Sequence, residues 1–463
     1  MATALRQPLD LAPDRLSLLI GSWPCPALLE SGPGFGPAGR WSILAARPRR
    51  VIEAIGDHAT VRDAEGGSVL TTGPVWPTLA AELDRFGLTG RAEPDEDRPP
   101  FQGGLIGYLG YDLAPLIERL PRKAPRDSRL PDLRLALYDT AVIVDHQSGA
   151  VDLWAFDLLG EGDLATRRRA REWRSALASP PRSPAPSSLG PTRSAFTPEG
   201  YTAAVRRSLQ YIEAGDVFQV NISQRFDSFG RPVPLDLYHR LRRRSPAPFS
   251  AFLAWDDLAV VSASPEWFYQ TRGERIVTRP IKGTRPRGAT SEEDARLVRE
   301  LAASPKDRSE LTMIVDLERN DLGRVCRYGT VKVVEALAVE SFAQVHHLVA
   351  TVEGALWPAV GPVDVVRAVF PGGSITGAPK IRAMEIIDEL EPTRRGLYTG
   401  AIGYFSQGGA SAFNIAIRTM LVEGDRVSFQ VGGGIVADSD PLSEYHETLH
   451  KGRGLREVIE RSE

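Results

Sequence analysis

Two pairs of carboxylates stand at helical spacing in this chain. Asp307 and Glu310 are three apart in Lys306-Asp307-Arg308-Ser309-Glu310, and Glu444 and Glu447 are three apart in Ser443-Glu444-Tyr445-His446-Glu447. If both stretches are helical, each pair lies on one face. Four hard oxygen donors without a cysteine beside them suit Mg²⁺, which keeps several waters and uses one or two carboxylates together with an anionic substrate. Solvated helix faces carry the same spacing, so the neighbours decide. Lys451 falls four residues beyond Glu447 and sets a cation on that face. Phe370 to Lys380 is a glycine-rich turn opening a helix, and Gly432-Gly433-Gly434 lets backbone N–H groups approach a ligand. Neither is a nucleotide loop: Gly372 to Gly377 has Walker spacing, but Ala378 stands where the lysine must follow. Gly34 to Gly39 matches the dinucleotide fingerprint in letters only, because Pro37 interrupts it. The glycines beside a lone Lys and Arg look built for carboxylates.

Composition narrows the partner. With 56 basic and 59 acidic side chains the formal charge is −3, without the basic excess that nucleic acid or an anionic membrane surface normally requires. Only Lys123, Lys282, Lys306, Lys332, Lys380 and Lys451 are lysine, so 56 − 6 leaves 50 arginines. Where a solvated charge suffices this chain uses Arg, and a retained Lys marks a place for an amine that can lose its proton or act as a compact point charge. The 463 residues, 42% hydrophobic and 25% charged, suit two domains or one large one. Cys25 and Cys326 cannot form a metal cluster alone, and a reducing compartment is expected. No secretory pattern opens the chain, and no apolar run approaches the roughly 18 residues of a bilayer span. The expectation is a cytoplasmic protein without a membrane partner.

The elements that must position these groups fall on either side of a Pro/Ser-rich segment, residues 179–196, which cannot bury a core. It separates residues 1–178 from residues 197–463. Before it, Leu135 to Asp145 and Val151 to Leu158 read as paired strands, followed by an arginine-rich helix from Ala165 to Ala178. After it, Thr197-Pro198-Glu199 starts a helix with Tyr201, Val205, Leu209 and Ile212 on one face, and Gly215 stops it. Phe249 to Trp255, Leu258 to Ser264 and Trp267 to Thr271 read as antiparallel hairpins. Thr290 with Glu293 caps a helix to Ala303, and Asp440-Pro441 opens the terminal one. Clustered strands with helices between them indicate α+β.

Five motifs then occur in order: Pro280-Ile281-Lys282-Gly283-Thr284-Arg285-Pro286-Arg287-Gly288, Met313 to Leu322, Gly400-Ala401-Ile402-Gly403-Tyr404, Asn414 to Thr419, and the terminal Glu444-x-x-Glu447. Together they resemble the chorismate-utilising enzymes, the large subunits of anthranilate and aminodeoxychorismate synthases, with isochorismate and salicylate synthases as relatives. Leu28 to Ser31 and Phe101 to Tyr108 resemble that family's N-terminal region, so 1–178 is expected to be the anthranilate-synthase-like region and 197–463 the chorismate-binding catalytic domain. The resemblance implies two large antiparallel sheets packed together and surrounded by helices. It implies Glu310 and Glu447 as direct Mg²⁺ ligands, with Asp307 and Glu444 holding its waters. Lys451 and the backbone of Gly432 and Gly433 would anchor the ring carboxylate of chorismate. Tyr398 and Arg418 would hold the enolpyruvyl carboxylate, where Arg offers a fork matched to two oxygens, and Thr284, Ser374 and His347 would line the ring.

Product identity rests on few positions. Relatives that add water activate it with a lysine where this chain has Gln219, and an amide takes no proton at neutral pH. At Lys282 anthranilate and isochorismate synthases usually have Ala, whereas Ile-Lys-Gly-Thr resembles the aminodeoxychorismate synthases. For that subgroup the resemblance implies that Lys282 attacks C2 of chorismate, Glu266 protonates the departing C4 hydroxyl, and ammonia enters at C4. Neither cysteine has the glycine-flanked turn of a glutaminase nucleophile, so a separate glutamine amidotransferase subunit is implied. Anthranilate synthase, which aminates C2 and eliminates pyruvate, is the alternative; a non-catalytic chorismate- or tryptophan-binding homologue is a third. Leu29, Glu30 and Ser31 resemble the tryptophan pocket of anthranilate synthases, with a buried strand end as the alternative.

Overall fold

The computed structural model describes residues 4–19, 23–64, 66–92, 95, 98–179, 183–342 and 345–460. Its strands form two antiparallel sheets of 13 and 12 strands. Ile43, Ile143, Ala251 and Val260 of the first sheet meet Ile106, Tyr108, Ala136, Ile402 and Tyr404 of the second in one buried cluster between them. Helices cover the outer faces: Pro234–Arg244 and Pro441–Glu460 lie on the first sheet and Pro305–Gly323 on the second. This is the α+β architecture expected. Among the described residues no helix is long and apolar enough to cross a membrane.

The capping chemistry holds. Thr197 accepts from the Gly200 N–H at the start of Pro198–Glu213, and Thr290 accepts from the Glu293 N–H at the start of Ser291–Ala303, each satisfying a donor that a helix start leaves open. Gly215 follows the first of these with φ +82°, the left-handed conformation that glycine adopts without strain.

Two strand expectations need correction. The run Leu135 to Asp145 is two strands, Leu133–Tyr138 in the second sheet and Thr140–Asp145 in the first. The chain passes between sheets at Asp139, a buried carboxylate bonded to Arg49 at 3.0 Å and to Arg169 at 3.2 Å. Both sheets are buried there, so the apolar run continues through the crossing and hides it. Likewise Phe249–Trp255 and Leu258–Ser264 form a hairpin in the first sheet, but Trp267–Arg272 belongs to the second. The crossing at Pro265-Glu266 lies beside a return crossing at Ala416 to Arg418, between Ser411–Ile415 and Thr419–Glu423. Ile415 N–H donates to Glu266 O at 3.1 Å and Ala263 N–H to Arg418 O at 3.1 Å. Functional side chains from both crossings thus emerge together.

The Pro/Ser-rich segment divides the sequence but not the sheets. Ala27–Glu30 pairs with Phe249–Trp255 in one sheet, and Gly104–Leu109 with Ala401–Ser406 in the other. Within the segment, Ser188–Leu189 and Arg193–Ser194 pair with the far end of Gln219–Arg231.

Candidate active site

A cavity of about 870 Å³ opens where the paired crossings meet three further elements. Glu266 and Arg418 enter from the crossings, Lys282 and Thr284 from the edge strand Ile281–Pro286, and Ser374 from the turn Gly373–Ile375. Asp307 and Glu310 come from Pro305–Gly323, and Glu444, Glu447 and Lys451 from Pro441–Glu460. His347, Tyr398 and Gly432 complete the expected set. Gly433 points to the helix side of its strand: a Cβ there would stand 3.1 Å from Glu444 Oε2 and 3.8 Å from Glu447 Oε1.

Lys282 reaches the cavity because its strand is irregular. Register shifts between Lys282 and Thr284 against Val345–Ala355, and Gly283 has φ +72°, the signature of a bulge that re-aims a side chain. The amine donates to Ser374 O at 3.3 Å. Burial pushes its pKa below the ordinary lysine range, against the pull of Glu310 and Glu266. On the other side of the same turn, Ser374 Oγ donates to Glu266 Oε1 at 2.6 Å. Burial raises the Glu266 carboxyl above its ordinary range, more than that hydrogen bond and Lys282 lower it. An amine inclined to be neutral and a carboxyl inclined to be protonated therefore face one space.

The rest of the wall suits carboxylates. Arg418 holds φ +50° and makes no ion pair among the described residues; burial alone pushes its pKa down. A half-buried guanidinium without a counter-ion, facing a cavity, asks for an anion. His347 shares a hydrogen bond with Thr284 at 3.0 Å, and burial with Arg418 pushes its pKa down to about 4, leaving the ring neutral. Glu447 accepts from Lys451 at 2.7 Å; burial opposes its charge, but Lys451, Lys306 and Lys282 hold it below the ordinary range. Burial raises Glu444, which accepts from Ser439 at 2.6 Å.

The four carboxylates border one cavity, yet among the described residues no three acidic, histidine or cysteine side chains converge closely enough to cage a metal as they stand. Asp307 accepts from Arg285 at 3.2 Å, and Glu310 lies 3.9 Å from Lys306. The donor set fits a hard divalent cation in kind, being all oxygen. Binding one would exchange the charge now supplied by Lys306 and Lys451.

Several assignments shift. Gln219 is fully buried behind Gly434 and is not part of the cavity wall; a Cβ on Gly434 would stand 2.8 Å from its Nε2. Lys380, at the end of the glycine-rich turn, pairs instead with Asp321 at 2.5 Å. Leu29, Glu30 and Ser31 line a second cavity of about 710 Å³, where Glu30 accepts from Tyr238 Oη at 2.5 Å and pairs with Arg242 at 3.1 Å. Sequence reasoning missed Arg395. It is buried, donates to Glu391 through Nε at 3.0 Å and Nη2 at 2.8 Å, ties down Ile375 O and Asn221 O, and lies 5.6 Å from the Tyr398 ring. Its signal was the Glu391/Arg395 spacing of four, submerged among 50 arginines.

Residues 37–457 match the family described as chorismate binding enzyme. Aminodeoxychorismate synthase component 1 of Bacillus subtilis (strain 168) is 40% identical over 442 residues, 94% of this chain and 92% of that protein. Anthranilate synthase component 1 of Thermus thermophilus is 42% identical over 434 residues, 92% of this chain and 91% of that protein. The crystal structure of anthranilate synthase component I from Streptococcus pneumoniae TIGR4 superposes with a TM-score of 0.80 at 31% identity, covering 90% of this chain and 92% of that one. Nearly the whole chain is matched in both sequence and fold, and the chain belongs to the chorismate-binding enzyme family.

Proposed function

We propose that this protein aminates chorismate at C4 to give 4-amino-4-deoxychorismate, as the large component of an aminodeoxychorismate synthase supplying 4-aminobenzoate for folate. The observation that carries this is Lys282 and Glu266 on either side of Ser374, an amine and a carboxyl with pKa values moved toward neutrality. Lys282 attacks C2 as both ring double bonds shift toward C4, the C4–O bond breaks, and the hydroxyl departs as water with the proton of Glu266. Ammonia then adds at C4, the bonds shift back, and Lys282 leaves. Arg418 and Tyr398 hold the enolpyruvyl carboxylate, and Lys451 with the Gly432 and Gly433 backbone holds the ring carboxylate. Glu310 and Glu447, with Asp307 and Glu444, would hold Mg²⁺, which when bound supplies positive charge to that carboxylate.

Ammonia comes from a separate glutamine amidotransferase subunit. Burial raises the thiol pKa of Cys25, and that of Cys326 to about 11, so neither is poised as a glutaminase thiolate. The Thermus relative supports a second reading, amination at C2 with loss of pyruvate. Incubating the protein with chorismate, ammonia and Mg²⁺ separates them: 4-amino-4-deoxychorismate is expected, and fluorescent anthranilate would overturn the proposal.

A further inference from the structure

Among the described residues, one buried side-chain acceptor in the cavity wall has no hydrogen-bond partner. Asn221, on the strand Gln219–Arg231, is 8% exposed, borders the cavity, and its Oδ1 makes no hydrogen bond. Its backbone, by contrast, is committed: the N–H donates to Thr376 O at 2.8 Å, and the carbonyl accepts from Arg395 Nη2 at 2.8 Å. Across the sheet a Cβ at Gly432 would stand 2.7 Å from Asn221 Oδ1 and 2.9 Å from the Tyr398 hydroxyl oxygen. The missing side chain leaves these two polar atoms bordering the same space. Leaving a buried amide oxygen unpaired is costly, and native proteins nearly always avoid it. A donor on a ligand removes that cost.

We propose that Asn221 reads the 4-position of the ring, its Oδ1 accepting a hydrogen bond from the 4-hydroxyl of chorismate and afterwards from the 4-amino group of the product. This rests on chorismate being the occupant of the cavity. Chorismate at neutral pH has two carboxylates, an ether oxygen and one hydroxyl, so that hydroxyl is its sole hydrogen-bond donor. The cations of the cavity serve the acceptors. Among the carboxylates in the wall, Asp307 and Glu447 already accept from Arg285 and Lys451, Glu444 accepts from Ser439, and Glu310, 3.9 Å from Lys306, stands with them on the side facing the cations. A protonated Glu266 offers the leaving oxygen a proton rather than a lone pair. Asn221 offers a buried neutral acceptor with no partner of its own, and an amide holds a hydroxyl or amine without taking its proton.

Its position agrees with that task. The turn that holds Glu266 through Ser374 Oγ also holds the Asn221 backbone through Thr376 O, and Arg395 ties Ile375 O to Asn221 O. Acid and acceptor are thus fixed to one piece of backbone, as two groups addressing one oxygen must be. Asn221 is a specificity-determining residue: it favours rings whose 4-substituent donates.

The test is calorimetric binding of chorismate and of its analogue with hydrogen in place of the 4-hydroxyl, with Mg²⁺, without ammonia, and with Lys282→Ala in every protein compared, so that chorismate is bound without forming the covalent adduct. Protein that is wild type at Asn221 is expected to prefer chorismate by about tenfold, and Asn221→Leu to bind both within about twofold of one another. If Asn221→Leu does not fold, Asn221→Ala makes the same comparison. Equal binding by protein that retains Asn221, or a preference that survives either substitution, overturns the assignment of Asn221 alone. Protein that retains Asn221 and binds neither compound overturns the chorismate reading itself.

Discussion

Lys282 and Glu266 impose opposite demands on pH. Protonated Lys282 is no nucleophile, so the rate rises with pH as the amine loses its proton; burial lowers that pKa and brings the rise toward neutrality. Ionised Glu266 has no proton for the leaving hydroxyl, so the rate falls as pH passes its raised pKa. The profile of kcat/KM for chorismate is therefore expected to be bell-shaped. Glu266→Gln should lower the rate by about 10²- to 10⁴-fold and remove the falling limb; a bell that persists in that variant would exclude Glu266 as the acid. Lys282→Ala should abolish both amination and any chorismate-derived mass adduct, and wild-type turnover in it would end the covalent scheme. At this scale the sequence was legible where a residue type is rare or chemically loaded. Lys282 stood out among six lysines, and the acids by their spacing. Asn221 did not, because an amide in a strand carries no signal until its missing partner is seen. Gln219 was legible as a position but not as buried behind Gly434.

Gly283 couples an element to the chemistry. Its φ is +72°, and a Cβ there would stand 2.8 Å from Asp307 Cγ and 2.9 Å from Leu301 Cδ1, so alanine would both strain the backbone and push the bulge away from two helices. Gly283→Ala is expected to cost about 1–3 kcal/mol in urea unfolding. It should reduce kcat by more than stability loss explains, because Lys282 swings off its line to Ser374. Unchanged kcat with the stability loss present would mean that the bulge does not aim the amine. Helix starts were readable because their caps are local: Thr197, Thr290 and Asp440 each bond a backbone N–H three residues ahead. Bulges and crossings were not, since the shifts at Lys282 and Asp139 are set by strands distant in sequence, and apolar runs pass through a crossing unchanged when both sheets are buried.

The Pro/Ser-rich segment is visible in composition, yet each sheet passes from residues before it to residues after it. Cutting the chain there would bare the edges of Phe249–Trp255 and Ala401–Ser406 and split the cluster in which Tyr108 and Ile143 pack with Ala251 and Ile402. Fully burying a large apolar side chain stabilises by about 1.5–3 kcal/mol, against a typical net stability of about 5–15 kcal/mol, so losing several such contacts exceeds what a half-molecule can spare. Unpaired edges also invite aggregation. Residues 197–463 expressed alone are therefore expected to be insoluble or to lack a cooperative melt, although every expected ligand of the catalytic cavity lies within them. Co-expression with residues 1–178 should restore a complex that co-elutes and binds chorismate, because the paired strands need no covalent link. A soluble, cooperatively melting 197–463 that binds chorismate unaided would mean that the shared sheets are dispensable, and that the boundary written in the composition is a boundary in the fold as well.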